Sequence, residues 1–109
     1  MTGSQFRKLA LEFAATTERP HFDRAAFRTE RRTFATLSKD GKDANVKVEP
    51  DTQDALVQSN PKAFAIIPNA WGLQGWTTIT LAHATIAEVR RVLVDAHALA
   101  LPVPKKKRR

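Results

Sequence analysis

Apolar side chains recur along this chain at two different spacings, and the switches between them outline its elements. Near the start, Phe6, Leu9, Ala10 and Phe13 return every three or four residues, which puts them on one stripe of a helix. Thr2 and Gln5 stand three apart ahead of that stripe, the spacing at which a hydroxyl and an amide satisfy each other's free backbone donors. A first helix is therefore expected over about residues 3 to 15, ended by the polar run Thr16 to Arg19 and by Pro20. The period then shortens to two. Ala26 to Thr29 and Thr33 to Ser38 read as strands on either side of the charged turn Glu30-Arg31-Arg32, and Ala44 to Val48 follows the turn signal Asp40-Gly41.

Pro50 has the fixed φ suited to a first helical position, and Asn60-Pro61 is a stop, so a short helix is expected between them. Asp51 and Asp54 near its start suit the helix dipole. Phe64 to Pro68 and Trp76 to Leu81 read as strands joined by a loop over residues 69 to 75. From Thr85 to Leu101 the long period returns. Ile86, Val89, Val92, Leu93, Ala96 and Ala100 share one face, with Glu88, Arg91 and Asp95 opposite. Pro102 and Pro104 end the pattern. The order helix, three strands, helix, two strands, helix predicts an α+β domain over residues 1 to 101. Short turns favour antiparallel pairing, so the expected architecture is a two-layer sandwich, one antiparallel sheet with helices on one face. Residues 102 to 109 are expected to form a mobile basic tail.

Composition narrows the function classes. The chain has 109 residues and no cysteine, which excludes disulfides, thiolate nucleophiles and thiolate metal sites. Arg7 and Lys8 interrupt the N-terminal region where a signal peptide needs an apolar run, and no stretch approaches a membrane span. A cytoplasmic protein without a membrane partner is expected. The formal net charge is +7, but five cations are Lys105, Lys106, Lys107, Arg108 and Arg109. The remaining body carries 13 basic against 11 acidic residues, a near-neutral +2.

Several segments, in this order and spacing, resemble the MmcQ/YjbR family: Thr2 to Phe6, Glu18-Arg19-Pro20-His21-Phe22, Ala26-Phe27-Arg28, Phe34-Ala35-Thr36-Leu37, Asn45-Val46-Lys47-Val48, and Phe64 through Trp71-Gly72 to Gly75-Trp76-Thr77. The likeness spans roughly residues 2 to 100. It implies a two-layer fold likened to that of bacterial frataxin, a double-wing shape and a DNA-binding role. Asp23 departs from the glycine that members often carry after His-Phe, and the tail from Pro102 lies outside the pattern.

Catalytic signatures are missing from the sequence. His21, His83 and His97 are scattered and lack the spacing of a metal-binding pair, and no serine lies in a nucleophile elbow. His21 and Asp23, two apart, would share a strand face and could form a metal or acid–base pair; an ordinary surface histidine is the simpler reading. Gly72-Leu73-Gln74-Gly75 has the GxxG form of an RNA-clamping loop, but flanking strands make it a turn with glycines at positive φ. No enzyme activity and no cofactor are expected.

Three features point to nucleic acid instead. Alternation sends Ala44, Val46 and Val48 towards the helices and Asn45 and Lys47 outward. The same rule puts Ala35 and Leu37 inward with Phe34 and Thr36 outward, and Ile79 and Leu81 inward with Trp76, Thr78 and Thr80 outward. The open face would then carry Phe34, Lys47 and Trp76 among threonines, the mixture that holds single strands by stacking and phosphate attraction. The competing reading folds Trp71 and its loop over Trp76 as a second small core. Arg24, Arg28, Arg31 and Arg32 around one hairpin, with Lys39 and Lys42 at the next, would form a wing for phosphates or else a solvated turn. The tail's five cations must attract any polyanion. A monomeric, non-enzymatic nucleic-acid-binding module with low sequence specificity is the leading expectation. A small interaction or ligand-binding domain on the Trp71/Trp76 face is the alternative.

Overall fold

A computed structural model describes residues 1–101; the tail cations Lys105 to Arg109 lie outside the described residues. The capping box at Thr2 and Gln5 forms as expected and starts α1, Gly3–Leu11. Its stripe of Phe6, Leu9 and Ala10 is buried. The helix stops about one turn earlier than the periodicity suggests, and Ala15 takes a left-handed φ of 57°. Phe13 nevertheless reaches the core region from outside the helix, against His97.

Six strands follow one another into a single antiparallel sheet in the order β1-β2-β3-β4-β6-β5. They are β1 (Thr17–His21), β2 (Arg24–Arg28), β3 (Thr33–Leu37), β4 (Asp43–Lys47), β5 (Phe64–Ile66) and β6 (Trp76–Thr80). Between them lie α2 (Pro50–Ser59) and a single turn α3 (Ala70–Leu73), and α4 (Ile86–Ala100) follows β6. The α+β architecture and antiparallel sheet match the sequence reading. Two elements differ from it. All five residues of β1 are exposed, so it has no apolar alternation to reveal it as a strand. It is an edge strand, which also explains why Pro20 is tolerated there. α3 occupies part of the expected loop, started by the Asn69 side chain accepting from the Trp71 amide at 2.8 Å.

The core lies between one sheet face and the helices. Phe27, Ala35, Val46 and Ile79 point into it from four strands, and Val89, Val92, Leu93, Ala96 and Ala100 meet them from α4. Each large side chain among them contributes about 1.5–3 kcal/mol by leaving water. Ile86, assigned to this stripe by periodicity, is half exposed because it sits in the first turn, beyond the sheet's cover.

Phe34 corrects a second expectation. Strict alternation sends it to the open face, yet it is 1% exposed and packs edge-on against His97 of α4. The cause is a β-bulge. Phe27 pairs with Ala35 and Arg28 with Thr33, so Phe34 is an extra residue in β3 with no partner on β2. The bulge turns two successive side chains, Phe34 and Ala35, to the helix side.

Candidate nucleic-acid interface

The uncovered sheet face can be read off the strand register. One row crosses the sheet through Arg19, Ala26, Thr36, Asn45, Thr78 and Ala65. On one side of it lies the cross-strand pair Lys47 and Trp76, with Arg28 and Thr33 on the neighbouring strands. On the other side lie His21 and Arg24, then Asp43 opposite Thr80. The face is thus built from cations, hydroxyls, an amide and an indole, with Asp43 as its acid. Val46 and Val48 are buried while Lys47 is half-buried on the open side, as alternation requires.

Trp71 joins this face from α3. It is 58% exposed, and with His21, Arg24, Thr36, Asn45, Ile67 and Trp76 it lines a trough of about 310 Å³. The two indoles therefore border an open concavity and do not close into a second core. Two glycines position α3. Gly75 holds φ at +105°, and a side chain there would collide with the Val48 carbonyl. At Gly72 the reason is contact, not torsion, since a Cβ would run into the Ile67 carbonyl. Beneath them, the buried Gln53 amide donates to the carbonyls of Gly72 and Trp76 and to the Thr77 hydroxyl, each at 3.1 Å. Gln53 was invisible in the sequence because α2 lacks a strong apolar stripe, so nothing marked which polar side chain turns inward.

The expected cation cluster divides. Arg24 sits at the far end of β2 from Arg28, Arg31 and Arg32. Its Nε donates to the Thr36 hydroxyl at 2.9 Å and its Nη2 to Asp43 at 3.1 Å. Arg28 donates to the carbonyls of Thr29 and Glu30. Arg31 reaches across to the Leu99 carbonyl at 2.8 Å, a cation at the C-terminus of α4. Thr29 donates to the next carbonyl, that of Ala100. This turn is therefore docked on α4 instead of projecting as a free wing. Lys39 and Lys42 are exposed on the β3–β4 turn, where Asp40 accepts from the Lys42 amide and the Ser38 hydroxyl. Those bonds hold the Asp40 carboxyl below its usual range.

Lys47, in contrast, gains neighbours that the sequence did not assign to it. Partial burial pushes its ammonium pKa down, and the charges of Arg32 and Arg31 push it further. Glu49 opposes them with the smallest effect, so positive charge prevails around Lys47 at this end of the open face. Arg19, on the edge strand, adds a cation that was missed because β1 was not counted. With Arg28 it lines a second hollow of about 500 Å³ on the same face, which also includes Glu30. Asp23 lies in the β1–β2 turn, off the strand, so it does not share a strand face with His21. Among the described residues no group of three histidine or acidic side chains is placed to hold a metal ion.

Fold and face together define a class: a two-layer α+β protein whose antiparallel sheet is covered by helices on one side and open on the other. Residues 11–99 match the family model YjbR, and the chain belongs to the YjbR family. Its fold is similar to the crystal structure of a Deinococcus radiodurans protein carrying the DUF419 domain, with a TM-score of 0.76 and 20% identity over 90% of this chain and 77% of that one. A Pseudomonas syringae protein is similar at a TM-score of 0.68 and 20% identity, over 93% of this chain and all of that one. No curated protein matches the chain. Among the described residues no helix is long and apolar enough to cross a membrane.

Proposed function

We propose that this protein is a non-enzymatic, cytoplasmic nucleic-acid-binding module that takes DNA strands on its open sheet face with little dependence on overall sequence. The observation that carries this reading is the pair Lys47–Trp76. A cation and an indole stand directly opposite each other on neighbouring strands, uncovered by any helix, with Arg31 and Arg32 adding positive charge. Phosphates are attracted to such a field, and bases stack on the adjoining ring. Crowding among like charges favours the reading further, because a bound phosphate relieves repulsion that the empty face bears. The tail Lys105 to Arg109 adds affinity for any polyanion.

The test is fluorescence anisotropy with labelled oligonucleotides over a range of salt, on the full chain and on a chain ending at Leu101. Affinity should fall steeply with salt in both, and Lys47→Gln should flatten the slope by about one phosphate equivalent, near 0.9. A shorter chain with no measurable binding at low salt would confine nucleic-acid affinity to the tail. The 310 Å³ trough supports a second reading, a small planar ligand. Binding there would be insensitive to salt and would not need Arg28 or Lys47.

A further inference from the structure

The trough beside Trp76 has a floor that offers free hydrogen-bond donors. Asn45 would ordinarily offer both an acceptor and donors. Here its Oδ1 is taken by the Thr78 hydroxyl at 2.8 Å, while its Nδ2 makes no hydrogen bond among the described residues. Thr36 Oγ1 accepts from Arg24 Nε at 2.9 Å and lines the trough. Arg24 uses Nε and Nη2 on Thr36 and Asp43, leaving Nη1 without a partner among the described residues. The floor and its wall thus present an amide N–H₂ and guanidinium N–H groups, beside the Thr36 hydroxyl and the His21 ring. Asn45 Oδ1 and Thr36 Oγ1 each already hold one hydrogen bond. Above this floor the indoles of Trp71 and Trp76 supply flat apolar walls.

A site of that kind selects a planar ring edged with acceptors. We infer that the trough takes one unpaired keto-bearing nucleobase, thymine or uracil, from a single strand, with Asn45 as the residue that discriminates against an amino group. The inference rests on the open face binding nucleic acid. The keto oxygen at position 4 accepts from Asn45 Nδ2. An exocyclic amine at the same place sets a donor against donors. A base inside a duplex cannot enter, because its edge is paired and its faces are stacked, so the site favours single strands. The neighbouring phosphates then lie towards Lys47 and the Arg19/Arg28 hollow on the same face.

The test uses the full-length protein with short oligomers of dT and of dC, which share ring size and weak self-stacking and differ at position 4, at N3 (N–H in thymine, a lone pair in cytosine) and in the 5-methyl group, so the Asn45 variant is what isolates position 4. The tail attracts both alike, since it reads phosphates. Oligo-dT should quench tryptophan emission and bind about tenfold more tightly than oligo-dC, the effect of one well-placed hydrogen bond. Asn45→Ala should bring that ratio close to one without altering the salt slope. Should it melt early, Asn45→Ser serves instead, since it removes the amide and keeps a hydroxyl partner for Thr78. Equal affinity for the two oligomers in the unaltered protein overturns the inference, as does a preference that survives loss of the amide. Equal affinity with a steep salt slope that Lys47→Gln flattens leaves phosphate binding standing and removes only the base pocket. Failure of both oligomers to bind at low salt removes both readings.

Discussion

Phe34 meets His97 edge-to-face, their ring centroids 5.4 Å apart, on the helix side of the sheet. His97 is itself buried, its Nε2 donates to the Ala14 carbonyl at 2.8 Å, and Phe13 lies on its other side at 5.2 Å. These contacts tie the bulge of β3, the segment after α1 and the C-terminal half of α4 into one unit. They make Phe34 a stabilising residue and remove it from the surface that a ligand meets. Phe34→Ala should cost about 3–5 kcal/mol, as for other buried phenylalanines. Denaturant unfolding measures the cost. Oligonucleotide affinity of the fraction that remains folded should be unchanged, in contrast to the effect of Trp76→Ala.

Gln53 should matter out of proportion to its place on a polar helix. Gln53→Leu keeps most of the volume but removes the amide that joins the Gly72 and Trp76 carbonyls to the Thr77 hydroxyl, each of which keeps one other partner. A loss of about 0.5–1.5 kcal/mol per hydrogen bond is expected. The α3 turn should loosen with it, and a red shift of tryptophan emission in the folded protein reads that change directly. An emission spectrum identical to that of the unaltered protein would show that α3 is held by other contacts.

Lys47 should separate binding from stability. Its folded pKa is lowered, by partial burial first and then by Arg32 and Arg31. For a base, a lowered folded pKa means that the charged form is disfavoured by folding, so its charge weakens the fold below that pKa and the penalty disappears as pH climbs through it. Lys47→Gln should therefore melt at the same temperature as the unaltered protein or higher near neutral pH, while its salt slope for DNA falls by about 0.9. A variant that melts lower and binds normally would place Lys47 among the structural residues.

Glu88 carries the opposite sign. The Thr85 backbone N–H, then the Asn60 amide, lower its carboxyl pKa at the N-terminus of α4. A lowered acid pKa gives stability that is present above the unfolded glutamate value, about 4.3, and is lost as pH falls through the folded value. Glu88→Gln keeps the reach of the capping box without the charge. Its melting temperature should lie below that of the unaltered protein near neutrality, and the gap should narrow as pH falls below the unfolded glutamate value of about 4.3. A gap that persists in acid would assign the effect to geometry and not to charge.

The tail gives the largest expected change in salt dependence. Deleting Lys105 to Arg109 should reduce the slope for duplex DNA by about four, since each neutralised phosphate contributes roughly 0.9. The oligo-dT preference over oligo-dC should survive the deletion, because a chain of cations does not read bases. An unchanged slope would make the tail a bystander.

Local pattern along the chain is enough to show what nearby residues enforce on one another. The capping box at Thr2 and Gln5, the proline that starts α2, the Asp40-Gly41 turn and the alternation of β4 all act within a few residues, and all stand where the pattern puts them. Tertiary structure decided whatever depends on a partner distant in the chain. β1 is a strand because β2 offers it an edge, not because its own residues alternate. Phe34 turned inward because a bulge against β2 admits an extra residue, a choice that no count of twos reveals. Arg24 went to Asp43 and Arg31 to the end of α4, dividing a cluster that looked continuous when written out. Lys47 came to lie under the field of Arg31 and Arg32 from another turn. Periodicity records which side of a strand a residue takes, but charge and hydrogen-bond partners are assigned only when the strands are laid side by side.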